Sequence, residues 1–104
     1  MMLLTKENRK ALPKLYSQEK LGKDAIAYVK FFTPDSSWTW YVTEMGVGSD
    51  SDTLFGLVKG HEAELGYFSL SELESVRGPL GLPIERDRSW TPKTLAEIAS
   101  EIFK

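Results

Sequence analysis

A strand that runs straight into a capped helix is written into residues 64–73, and this is the tightest structural constraint in the chain. Ser69 followed by Glu72 is a capping-box pattern: the serine hydroxyl accepts from a free amide of the first turn while the glutamate carboxylate reaches back to the cap's own amide. Phe68 and Leu73 fall at the two positions of a hydrophobic staple, so the end of the strand and the direction of the helix are specified together. The helix is expected over residues 70–76.

The elements around this junction follow from local chemistry. Thr5 caps a first helix over residues 6–11, and Pro13, which lacks an amide, interrupts it. A kinked or two-piece helix ending near Ser17 is expected, with Leu4, Leu12, Leu15 and Tyr16 buried and Lys6, Arg9, Lys10 and Lys14 toward water. Gly22 and Lys23-Asp24 read as the turn out. Residues 25–33, rich in β-branched and aromatic side chains, form a strand ended by Pro34-Asp35-Ser36-Ser37, and residues 38–44 return as the second strand of a hairpin. Trp38, Trp40 and Val42 share one face of it, Thr39, Tyr41 and Thr43 the other. After a polar loop over 46–52, strands over 53–59 and 64–68 complete a meander. Residues 78–83 make an irregular connection and 84–88 an edge strand. Thr91-Pro92 reads as a second helix start, with Leu95, Ile98, Ala99, Ile102 and Phe103 forming an amphipathic stripe.

The order α-β-β-β-β-α-β-α predicts an α+β fold in one domain spanning residues 1–104. It consists of an antiparallel sheet of four to five strands, with helices at the N-terminus, after the meander and at the C-terminus, packed mainly on one face. At 104 residues, 41% hydrophobic and 27% charged, the chain suffices for one core and falls outside disordered and membrane compositions. Its first apolar residues are too few for a signal peptide, and no run approaches the roughly 18 residues that span a bilayer, so a cytoplasmic protein without membrane contact is expected. The absence of cysteine removes disulfides, thiolate nucleophiles and Cys-based metal sites, in agreement with a reducing compartment.

The net charge of −2 conceals an asymmetry. Residues 1–30 carry seven Lys/Arg against three Asp/Glu, whereas residues 31–104 carry six against twelve. Between Glu44 and Glu74 there are seven acids and one base, Lys59, which predicts an acidic surface if those side chains point outward.

Few residues carry chemistry. His61 with Glu62 and Glu64 lacks the spacing of the helical two-histidine zinc motif, and a lone histidine offers few ligands. Glu85-Arg86-Asp87-Arg88 alternates in sign, which suits a solvated edge strand better than an acid–base pair. No nucleophile elbow or phosphate loop is present; Gly46-Val47-Gly48 is followed by Ser-Asp instead of a helix start. No catalytic group, metal or cofactor is therefore expected. Two binding surfaces are. The first draws on Trp38, Trp40, Tyr41, Tyr67 and Trp90 with Glu62 and Glu64: core packing claims at least two of the three tryptophans, and any indole left exposed beside a tyrosine forms a protein-binding hot spot. The second is the basic face Lys6, Arg9, Lys10 and Lys14, which suits DNA or RNA through counterion release. An exposed strand edge or tryptophan patch would serve a homodimer as readily.

Leu3-Leu4-Thr5 with Leu12-Pro13, Phe55-Gly56-Leu57-Val58 before Glu62-x-Glu64-Leu65-Gly66-Tyr67-Phe68-Ser69-Leu70, and Gly81-Leu82-Pro83-Ile84-Glu85-Arg86-Asp87 together resemble the domain of unknown function 2958 family over nearly the whole chain. The resemblance implies context and no chemistry: a small bacterial protein of the kind often carried on plasmids, integrative elements and phages. In that context the expected roles are a non-enzymatic protein-binding module, such as an anti-CRISPR or antirestriction inhibitor that occupies a surface of a host protein, or an accessory DNA- or RNA-binding protein using the basic first helix.

Overall fold

A computed structural model describes residues 2–103. Its centre is a five-stranded antiparallel sheet built from β2 (Val29–Phe32), β3 (Thr39–Met45), β4 (Thr53–Lys59), β5 (Ala63–Ser69) and β6 (Glu85–Arg86), in the spatial order β5-β4-β3-β2-β6. A two-stranded sheet pairs β1 (Ile26–Ala27) with β7 (Lys93–Thr94). Helices α1 (Lys6–Ala11), α2 (Leu70–Ser75) and α3 (Leu95–Ile102) complete the fold, with a 3₁₀ turn over Glu19–Asp24. This is the α+β architecture expected, with helices at the N-terminus, after the meander and at the C-terminus.

The helices do not share one face. Val29, Phe31, Trp40, Val42 and Leu54 point from the sheet into a large core that also holds Leu3, Leu4, Leu12, Leu70, Leu73 and Ile84, and so receives α2 and the flanks of α1. Tyr41 and Leu57 point the other way, into a smaller core with Ala25, Ala27 and the α3 residues Leu95 and Ile98. Because β3 is buried on both sides, its pattern departs from the alternation of a half-solvated strand. The α3 stripe ends sooner than expected, since Phe103 is 66% exposed.

Several boundaries move for identifiable reasons. The first helix does not resume after Pro13. Leu12, biased toward extended backbone by the following proline, stands at ψ 124°, the Pro13 carbonyl accepts from the Met45 amide, and Lys14 bridges Met45. Leu15 is consequently only half-buried and Tyr16 is exposed. Residues 25–33 divide between the two sheets, because Ile26 and Ala27 pair with Thr94 and Lys93 while Val29 onward pairs with β3. The same pairing holds the chain extended past Pro92, so the cap of α3 is Thr94 instead of Thr91. Thr94 Oγ1 accepts from the Glu97 amide at 3.1 Å and Glu97 Oε1 accepts from the Thr94 amide at 3.0 Å, a complete capping box. The edge strand near residue 85 shortens to two residues.

The β5–α2 junction also differs in detail. Ser69 Oγ accepts from the Glu72 amide at 3.2 Å, but the Glu72 carboxylate does not return to the Ser69 amide; a different carboxylate, that of Asp52, braces the first turn at Ser71. The β4–β5 register brings Asp52 opposite Leu70, where its Oδ1 accepts from the Ser71 amide at 2.8 Å and its Oδ2 from both serine hydroxyls. These bonds, the Ser69 hydroxyl first, hold the Asp52 carboxyl below its ordinary value. A carboxyl depressed by folding contributes its stability in full above the unfolded value and loses it as pH falls through the folded one. The Ser71 amide resonance is therefore expected to titrate with a midpoint below the ordinary Asp value of 3.8, and to lose that titration in Asp52→Ala.

Candidate functional site

The side chains that could meet a ligand gather where β3 breaks its register. Val42 pairs with Gly56 and Glu44 with Phe55, so Thr43 and Glu44 together oppose a single residue of β4. A straight strand would send Glu44 into the large core beside Trp40 and Val42; the bulge turns it onto the α3 face instead. There Glu44, only 4% exposed, accepts from the Tyr16 amide through Oε1 and from the Gln18 amide through Oε2, both at 2.7 Å. Gln18 is buried too, donating to the carbonyls of Ile26 and Thr43 and accepting from the Ile26 amide. Residues 14–18 are thereby strapped across the sheet, with Tyr16 in the left-handed region at φ 72° and its ring turned outward.

Between this strap, the sheet and α3 lies a cleft of about 160 Å³ lined by Tyr16, Gln18, Glu19, Thr43, Glu44, Phe55, Leu65, Tyr67 and Leu95, together with Gly22 and Ala25. Its outer wall is aromatic: the rings of Phe55 and Tyr67 lie 4.8 Å apart, and that of Tyr16 meets Tyr67 edge-on at 6.4 Å. Hydrogen bonding to Tyr16, partial desolvation and the nearby Glu19 and Glu44 carboxylates raise the Tyr67 phenol above its ordinary value. Leu65 and Tyr67 are each 55% exposed although both sit in the middle of a strand.

That strand is an edge of the sheet. The amide of Gly60 donates to the Glu62 carbonyl and that of Leu70 to the Asp52 carbonyl, which fixes the phase of the β4–β5 ladder. Residues 64, 66 and 68 therefore spend their backbone groups on β4, and residues 63, 65 and 67 turn theirs outward, while the carbonyl of Ser69, as the N-cap, opens α2. The cleft and the open edge share Leu65 and Tyr67.

The expected docking residues are dispersed. Trp40 and Tyr41 belong to the two cores, because the sheet is covered on both faces, and are removed from any surface role. Trp90 is half-buried against Tyr41, donating from Nε1 to the Ala27 carbonyl, with the Lys30 and Lys93 ammonium groups over its ring. Trp38, 38% exposed, stacks on Trp40 and borders a shallow depression with Val58, His61, Glu62 and Glu64 on the face opposite Tyr67. Glu44, counted with the acidic surface, is internal. Lys6, Arg9 and Lys10 are exposed on one side of α1, while Lys14 leaves that helix for its bridge to Met45. The ion pairs found among the described residues, Lys30–Asp87 and Lys93–Glu101, engage none of these four cations. No group of three or more His, Asp or Glu side chains positioned to hold a metal ion occurs among the described residues.

Gln18, Phe55 and Leu65 were not singled out as site residues by sequence reasoning, which placed Tyr16 in the first helix and Glu44 on an acidic surface. The available signal was Glu44 itself, a charge at an alternate position that a straight strand would bury among tryptophan and valine.

Neither a curated protein nor a solved structure matches the chain. The model of the family described as "Protein of unknown function (DUF2958)" matches residues 3–101, and the chain belongs to that family.

Proposed function

We propose that the chain is a non-enzymatic protein-binding module that offers the β5 edge and its aromatic face to a host or element-encoded protein. The observation that carries this reading is the row Tyr16, Leu65 and Tyr67, uncovered beside a strand whose outward amides and carbonyls have no partner in the chain among the described residues. Natural proteins ordinarily blunt such edges with charge, proline or a covering element, and exposed aromatics at a contiguous apolar site mark binding surfaces. The mobile-element setting of the family resemblance gives the module its role, that of a counter-defence inhibitor of anti-CRISPR or antirestriction type, acting in the bacterial cytoplasm by occupying a surface of its target.

Affinity capture from a bacterial lysate, with and without nuclease, tests this. A stoichiometric protein is expected to survive nuclease and to be lost with Leu65→Lys/Tyr67→Asp, two side chains that belong to neither core. Equal recovery by that variant would overturn the assignment of the surface.

The exposed cations of α1 favour a second reading, an accessory DNA- or RNA-binding protein. Reversing Lys6, Arg9, Lys10 and Lys14 is then expected to abolish a salt-sensitive mobility shift of labelled nucleic acid. A wild type that shifts nothing at low salt excludes this reading.

A further inference from the structure

We propose that β5 receives an extended, basic segment of the partner protein as a sixth strand, and that the adjoining cleft takes one arginine or lysine side chain of that segment. This rests on the protein-binding reading and specifies the chemistry of the partner.

Three observations converge on it. The first is the backbone. Residues 63, 65 and 67 present outward amides and carbonyls along a seven-residue strand with no proline, which is the template that β-strand addition uses. The second is size. A cleft of about 160 Å³ lies below the ~300 Å³ from which small-molecule sites begin, and suits the end of one side chain. An added strand would lie roughly 4.8 Å beyond β5, with alternate side chains beside Leu65 and Tyr67, so a side chain of arginine length reaches over the Tyr67 ring into the cleft.

The third is charge. The lining contains the carboxylates of Glu19 and Glu44 and three aromatic rings but no lysine or arginine. Glu44 accepts one amide on each oxygen, and a carboxylate has about four lone-pair sites, so it retains capacity for further donors. Aromatic faces attract a cation directly, and a guanidinium can meet ring and carboxylate at once. Glu62 and Glu64 add negative charge at one end of the strand, on its other face, and Asp52 at the far end, where Arg9 offsets part of its charge; Lys59 pairs with Ala63 on the neighbouring strand. Such an edge favours a basic segment and repels a second copy of itself.

Selection of a random nonapeptide display library against the full chain, followed by titration of one selected synthetic peptide into ¹⁵N-labelled protein, tests the proposal. Enriched peptides are expected to carry β-forming residues around Arg or Lys at one fixed position, and the peptide to shift the Leu65, Tyr67 and Tyr16 amides. Replacing its basic residue by norleucine, or Glu19 of the protein by lysine, is expected to weaken binding about ten-fold, and N-methylation at alternate peptide positions to abolish it. Glu19→Lys is the variant of choice because Glu44 also holds the fold together. No enrichment, enrichment without a fixed base, or shifts confined to α1 or to Trp38 and His61 would overturn the proposal. So would concentration-dependent shifts at Leu65 and Tyr67 without peptide, which would assign the edge to a second copy. If any of these occurs while lysate capture still yields a protein partner, the binding-module reading stands and only this partner chemistry falls.

Discussion

Glu44→Ala is expected to lower stability by about 3 kcal/mol, roughly 15 °C in Tm for a domain of this size. The loss comes from the groups left behind. The Tyr16 and Gln18 amides both depend on this carboxylate at 2.7 Å, and neither has another acceptor among the described residues. An unsatisfied amide costs about 1–3 kcal/mol according to its burial, and relief from burying a carboxylate recovers part of the sum. Glu44→Gln keeps one acceptor but turns an NH₂ group toward the other amide, so its loss should be intermediate. Urea unfolding followed by tryptophan fluorescence orders the three proteins. A Glu44→Ala protein as stable as wild type would mean that residues 14–18 are not strapped to the sheet through this side chain.

Gly56→Ala is expected to destabilise by a similar amount, about 3 kcal/mol, at the upper end of the range for overpacking. Gly56 lies opposite Val42, one pair before the bulge, and a Cβ there would run into the Tyr41 carbonyl oxygen, with the Val42 Cα at 3.1 Å. Those atoms are backbone and cannot rotate away as a side chain can. Strands β3 and β4 must separate, and the Thr43–Glu44 bulge moves with them. Gly66, the β5 partner of Gly56, supplies the control: nothing lies within 4 Å of a Cβ added there, and Gly66→Ala should stay within about 0.5 kcal/mol of wild type. Thermal unfolding of the pair decides the matter, since equal melting temperatures would remove close strand approach as the reason for Gly56.

What could be read from the sequence was what local chemistry specifies. Thr5 and Ser69 act as helix caps, and the β4 strand spans residues 53–59, because each depends on neighbours within a few positions; Pro13 was legible as an interruption of the first helix but not as its end. Non-local pairing decided the rest. Pro92 has the signature of a first helical residue, yet pairing of Lys93 and Thr94 with β1 keeps the chain extended and passes the cap to Thr94, whose partner Glu97 was equally visible in the sequence. The Ser69 box stays half-made, and Asp52 braces the Ser71 amide instead, because strand register, invisible locally, delivers it to the helix end. The binding candidates suffered most. Trp40 and Tyr41 have the composition of a hot spot, but a sheet covered on both faces consumes them, while the cleft needs a bulge, a left-handed Tyr16 and an open edge that no short motif encodes.

Leu65 and Tyr67 stand outside both hydrophobic cores, and the Glu19 carboxylate accepts no hydrogen bond from the chain among the described residues. Folding thus exerts little selective pressure on the three positions that face outward at this edge. Substitutions there can accumulate nearly neutrally and be tried against a changing target, whereas the Glu44 strap and the Gly56 crossing stay under purifying selection. A lineage of such proteins would diversify in what it recognises while its scaffold holds still.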